Sequence, residues 1–184
     1  GDFLVQTLLW GRKSPFYYMK VLDNFLPETE FYPMQQMFLS EEFPWFYNPR
    51  VVGDEQTNHE LYQMCHSFYV QWEWQSQYRN LVAPVLNRLD ILQPLRIKAN
   101  LTFKMDDNYE SGWHHDFEAA NKIQEHNTAI FYLTTTNGPT LFENDRVDCV
   151  ANRLVLFHNT DKHTGTYATD AKERVVINFN FISP

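Results

Sequence analysis

A sandwich of antiparallel β-sheets backed by helices is the fold class that this sequence predicts. Three observations predict it: helix-type spacing of apolar residues ahead of Pro94, a period of two behind it, and no helical segment of convincing length between the later strands. With 184 residues, 43% of them hydrophobic and 16% aromatic, the chain can bury a substantial core. One mainly β domain over 1–184 is expected, with helical support over 19–93 and a β core over 96–184.

In chain order, Val21-Leu22-Asp23-Asn24-Phe25-Leu26-Pro27 reads as a short strand that turns at Asp23 and Asn24 into a helix, with Pro27 and Glu28 suited to a first turn. That helix should fade before Phe43-Pro44. From Met64 to Gln75, the residues Met64, Phe68, Val70, Trp72 and Trp74 keep a period of two, which favours a strand; Leu61, Met64, Cys65 and Phe68 also satisfy a helical template. Ser76 can cap a helix over 76–90 whose apolar face is Tyr78, Leu81, Val82, Val85, Leu86 and Leu89. Strands are then expected over 96–104, 113–117, 128–134, 140–143, 153–157 and 175–182, with Asn137-Gly138-Pro139 as a turn.

Charge narrows the function classes. Fifteen basic against 23 acidic residues leave a net charge of −8, and no run of Lys or Arg offers a footprint for a phosphate backbone, so nucleic-acid binding by charge is not expected. The acidic balance favours a cationic or neutral partner such as a basic peptide. Cys65 and Cys149 are too few for a disulfide framework and read as buried thiols in a reducing compartment. The apolar stretch over 3–10 is too short for a bilayer span and lacks the marks of a secretory signal, so a soluble cytoplasmic protein with no membrane partner is expected.

Within Ser111-Gly112-Trp113-His114-His115-Asp116-Phe117, extended geometry puts His114 and Asp116 on one face, with Trp113 and His115 on the other. An isolated H-x-D triplet arises readily by chance, so further residues must support it. Two histidines and one carboxylate bound facially leave three adjacent positions open on iron(II). His158, at the end of the 153–157 strand, and His163, after the turn Asn159-Thr160-Asp161-Lys162, compete for the third place, with His163 favoured. His59, His66 and His126 match no ligand spacing and suggest ordinary surface roles.

Arg174 opens the last strand, and alternation places Arg174, Val176, Asn178 and Asn180 on its inward face. A polar series turned inward is costly unless something there needs it. The planar fork of arginine pairs bidentately with a carboxylate, which suits the distal end of 2-oxoglutarate once the keto-acid end has chelated iron. A surface ion pair of Arg174 with Glu173 or Asp170 is the plain alternative.

Taken together, the segment 98–181 resembles the 2-oxoglutarate/iron(II) dioxygenases in their prolyl-hydroxylase-like branch, and among these it is similar to small bacteriophage-encoded members. The resemblance is carried by His114-His115-Asp116, the strand Thr128-Ala129-Ile130-Phe131-Tyr132-Leu133, Gly138-Pro139-Thr140-Leu141-Phe142, Asn152-Arg153-Leu154-Val155-Leu156-Phe157, His163 and Arg174. It implies a double-stranded β-helix, the cupin-like jelly roll, with His114, Asp116 and His163 as iron ligands and Arg174 as cosubstrate anchor. It places Tyr132 where a tyrosine bonds the same carboxylate, and Asn100 on a cosubstrate-facing strand with Thr102. Val176 departs from the family, which often has Ser or Thr there. The implied cofactors are iron(II), 2-oxoglutarate and dioxygen, with ascorbate as an auxiliary reductant. The implied reaction is oxidation, usually hydroxylation, of a peptide or small molecule, with release of succinate and carbon dioxide. The competing readings are a cupin-like metal enzyme that uses no keto acid and a jelly-roll binding module without turnover.

Overall fold

In the computed structural model, which describes residues 19–51, 61–116 and 126–184, the chain opens with β1 (Lys20–Leu22), α1 (Glu28–Phe38), β2 (Phe46–Asn48), β3 (Gln63–Val70) and β4 (Glu73–Trp74). A 3₁₀ turn (Arg79–Leu81) and α2 (Ala83–Leu86) lead to β5 (Gln93–Phe103) and β6 (Asn127–Tyr132). The rest is strand: β7 (Thr136–Phe142), β8 (Arg146–Cys149), β9 (Arg153–His158), β10 (His163–Gly165) and β11 (Glu173–Ile182).

Among the described residues the strands form two sheets. The larger has the order β1-β9-β6-β11-β5-β3-β2, with β4 paired to β3; the smaller has the order β10-β7-β8. Every pairing is antiparallel. This is the expected mainly β jelly roll with flanking helices.

Strand alternation decides which side of the large sheet does what. On β5 and β11, Ile97, Ala99, Leu101, Val175, Ile177, Phe179 and Phe181 face a core shared with Phe31, Met34 and Phe38 of α1. Those three helical positions form one stripe, and Glu28 and Glu30 complement the dipole of the first turn. The opposite face meets the small sheet through Ile130, Tyr132, Phe142, Val155 and Phe157, with the Phe142 and Phe157 rings 4.9 Å apart. Arg96, Lys98, Asn100 and Thr102 of β5 and Arg174 and Asn178 of β11 line the cavity left between the sheets.

Three local expectations are corrected. The helix over 76–90 is broken into the 3₁₀ turn and the four-residue α2. Pro84 has no N–H to donate and its ring would meet the carbonyl four residues back, so it starts a new helix instead of continuing one. The expected apolar face survives the break, since Val82, Val85 and Leu89 are buried. The helical support over 19–93 is correspondingly thin, because β3 and β4 occupy its middle as a hairpin whose turn residues Gln71 and Trp72 both take positive φ, 52° and 68°.

Asn137-Gly138-Pro139 is not a turn but lies within β7, where the register against β8 shifts between Thr136 and Thr140. Gly138 is needed for close packing: a Cβ there would stand 2.8 Å from the Thr166 carbonyl oxygen. The strand expected over 113–117 is reduced to a single bridge between His114 and His163, because Gly112 takes a φ of 111° and breaks the extended run. Phe117 lies outside the described residues, as does His59.

Candidate metal centre and its cavity

His114 and His163 are brought together by backbone bonding before any side chain is considered: each donates its N–H to the carbonyl of the other, at 3.0 Å both ways. Their rings then lie 4.6 Å apart. The Nε2 atoms of His114 and His163 stand 3.7 and 4.0 Å from Asp116 Oδ1, and the three ligand-type atoms lie within 4.8 Å of one another. Nδ1 of His114 faces the Gly112 carbonyl at 2.9 Å and Nδ1 of His163 faces the Asp161 carbonyl at 3.1 Å. A carbonyl can only accept, so each ring carries its proton on Nδ1 and turns the Nε2 lone pair to the centre.

Asp116 is fixed from two sides. Arg96 donates to Oδ1 and Asn180 donates to Oδ2, both at 2.9 Å. Asn180 in turn donates to Thr128 and accepts from Arg96 Nε. Burial would raise the Asp116 pKa, but the Arg96 guanidinium and the two histidines outweigh it and hold the carboxyl well below its usual range. Burial also pulls both histidines down; for His163 it prevails, whereas the neighbouring Asp116 carboxylate lifts His114 above the ordinary value. The result is two imidazole nitrogens and an ionised carboxylate facing one point, a donor set suited to iron(II) and neighbouring divalent metals.

The same cavity, about 730 Å³, also receives Arg174. Only 6% exposed, Arg174 donates from Nε to the Gly138 carbonyl at 2.8 Å and from Nη2 to Thr140 Oγ1 at 3.1 Å. Among the described residues it has no carboxylate partner: Glu173 pairs with Lys172, and Asp170 accepts from the Asn137 N–H. Its Nη1 lies 3.6 Å from where a Cβ on Gly165 would be, so the glycine keeps that side of the guanidinium open. Gly165 and His163 are alternate residues of β10, which sets the open guanidinium roughly 6–7 Å along from the His114/Asp116/His163 group.

Tyr132 is fully buried, and its hydroxyl donates to Thr140 Oγ1 at 2.8 Å. Burial pushes its pKa up to about 12. Thr140 therefore accepts from both Tyr132 and Arg174, and its own hydroxyl proton is free to point into the cavity that it lines. Val176, which also lines the cavity, offers no hydroxyl. Asn100 lines the cavity and accepts from Cys65 Sγ at 3.4 Å. Two buried polar atoms on this wall, Thr102 Oγ1 and Asn178 Oδ1, have no hydrogen-bond partner.

The structure brings together His114, Asp116, His163, Arg174 and Asn100, and links Tyr132 to them through Thr140. His158 is not part of the His114/Asp116/His163 group, and its Nδ1 lies against Thr160 Oγ1 at 3.0 Å. Trp113 and His115 line the cavity, contrary to their expected place on the far face, because the 113–116 segment is not a regular strand. His66 and His126 are buried, not superficial; His66 is held between the Pro44 carbonyl and Ser76 Oγ at 2.7 Å each. Thr140, Arg96 and Asn180 were not assigned roles from the sequence. Arg96 and Asn180 do carry the signal of polar side chains on an inward strand face.

No family model matches the chain, and no curated protein matches its sequence. Solved structures do match in shape. An oxidoreductase of the 2OG-Fe(II) oxygenase family from Burkholderia pseudomallei aligns with a TM-score of 0.65 at 12% identity, over 89% of this chain and 84% of that one. The non-heme alpha-ketoglutarate-dependent carbocyclase SnoK from nogalamycin biosynthesis aligns at 0.64 and 15% identity, over 91% and 80%. A prolyl-4-hydroxylase from Pseudomonas putida aligns at 0.61 and 13% identity, over 92% and 95%. Among the described residues no helix is long and apolar enough to cross a membrane. The chain has the fold shared by these 2-oxoglutarate/iron(II) oxygenases.

Proposed function

We propose that this chain is an iron(II)- and 2-oxoglutarate-dependent oxygenase that oxidises a peptide or small molecule and releases succinate and carbon dioxide. One observation carries the reading: the buried Arg174 guanidinium, with no carboxylate partner among the described residues, opens onto the cavity that holds the His114/Asp116/His163 cluster. A buried cation without a counter-anion is costly, and a ligand carboxylate would offset that cost.

His114, Asp116 and His163 would hold the metal, with Arg96 and Asn180 fixing the carboxylate. Arg174 and the Thr140 hydroxyl would hold the distal carboxylate of the cosubstrate, with Tyr132 orienting Thr140. Thr102 Oγ1 and Asn178 Oδ1 supply further unsatisfied polar atoms on the ligand side. Bound iron(II), with keto acid and dioxygen, supplies the oxidising chemistry; the protein positions the reactants and excludes water. Hydroxylation is the outcome we assign.

Protein supplied with iron(II), 2-oxoglutarate, oxygen and ascorbate should release succinate in proportion to 2-oxoglutarate consumed, and Asp116→Ala should release none. If wild type binds metal yet forms no succinate, the cupin-like or binding-module reading replaces this one.

A further inference from the structure

We infer that Lys98 is an anchor for an anionic group of the substrate, so that the substrate is a carboxylate or another anion and not the cationic partner that the overall charge suggests. The inference rests on the oxygenase reading and adds the substrate class to it. Lys98 is half-buried on the inward face of β5 and lines the cavity. Among the described residues its ammonium has neither a hydrogen bond nor an ion pair.

The neighbouring charges show why it is spare. Arg96, two residues earlier on the same face, is matched by Asp116. Arg174 faces the end of the cavity at Gly165 and is assigned to the distal carboxylate of the cosubstrate. Asp116 is the only acid lining the cavity among the described residues, and it is already held by Arg96 and Asn180. Lys98 is left without a counter-charge, roughly 6–7 Å along β5 from the arginine that touches the metal-binding carboxylate. Its Cα partner on β11 is Asn178, which lines the same cavity. An ammonium without a counter-charge, in the cavity that holds His114, Asp116 and His163, makes a receptor for a carboxylate-bearing group.

The test uses N-acetylglycine as an anionic probe and N-acetylglycinamide as its uncharged counterpart, titrated calorimetrically without oxygen into the iron(II)- and 2-oxoglutarate-loaded protein. Wild type should bind the anion roughly ten-fold more tightly than the amide. Lys98→Met should abolish that preference while leaving 2-oxoglutarate affinity within about two-fold, and Lys98→Arg should keep the preference. An equal affinity for both probes in wild type, or an unchanged preference in Lys98→Met, overturns the inference. So does a large loss of 2-oxoglutarate affinity in Lys98→Met, which would assign the ammonium to the cosubstrate. If wild type fails to bind 2-oxoglutarate at all, the oxygenase reading falls instead. The same two probes on the metal-free protein then decide Lys98 by the same criteria.

Discussion

The two ends of the cavity differ in how complete they are. Around Asp116 every polar group is engaged: both carboxylate oxygens accept, Asn180 bonds on both sides of its amide, and each histidine has its Nδ1 anchored on a carbonyl. Toward the other end of the same sheet face, Arg174 lacks a carboxylate and Lys98 a counter-charge among the described residues, and Thr102 Oγ1 has no hydrogen-bond partner. The first end has the fixed geometry that the proposed metal would need. On the proposed reading the second is open to anions, which would supply the counter-charge to Arg174 and Lys98.

The largest effect should come from the prearranged end. His163→Ala removes one of three ligand atoms and should abolish iron(II) binding, whereas His158→Ala should leave it intact; metal titration of both variants checks this. Loss of metal in His158→Ala alone would move the third ligand and break the comparison.

Next comes the open end. Arg174→Ala should leave metal affinity unchanged and weaken 2-oxoglutarate by about a hundredfold or more, because removing one partner of a buried ion pair costs roughly 3–5 kcal/mol. Arg174→Lys should fall between the two, since it keeps the charge but loses the fork. Equilibrium dialysis with 2-oxoglutarate gives the order of the three proteins.

Asn180→Ala tests whether the engaged network matters. Removing this support for the Asp116 carboxylate, a proposed metal ligand, should cost about ten-fold or more in metal affinity without touching a ligand. An unchanged affinity would show that Arg96 alone fixes Asp116.

The smallest effect sharpens the electrostatic contrast. Protons compete with metal for Nε2, and the raised pKa of His114 means that competition begins at higher pH than for an ordinary histidine. Metal affinity should therefore fall as pH drops through the upper histidine range. Asp116, held well below the usual carboxylate range, should stay ionised throughout and contribute nothing to that decline. A metal-binding profile whose only step lies in the carboxylate range would contradict this.

The prearranged end was largely legible in the sequence because its information is local. His114 and Asp116 lie two residues apart, and His163 follows a strand and a turn. Arg174 was legible because a charged residue on an inward strand face is expensive enough to demand a reason. What stayed hidden depends on register between distant strands. Thr140 meets Tyr132 and Arg174 only once β7, β6 and β11 are assembled, and Asn180 meets Asp116 only once residue 116 has folded over β11. His115 was placed on the wrong side because one glycine φ, at Gly112, breaks the alternation. Pro84 shows the converse case: its chemistry announced the helix break, but the apolar periodicity on either side concealed it.

The central claim is that one ligand spans from the metal cluster to Arg174. Pyruvate has the same keto-acid chelating end as 2-oxoglutarate and lacks the distal carboxylate. The charge-transfer absorption of the iron(II)–keto-acid chelate should therefore be titrated without oxygen, for both acids, in wild type and Arg174→Ala. Wild type should prefer 2-oxoglutarate by about a hundredfold or more, and in Arg174→Ala that preference should collapse while pyruvate binding is unchanged. Equal affinity for the two acids in wild type, or a preference that survives Arg174→Ala, would contradict it.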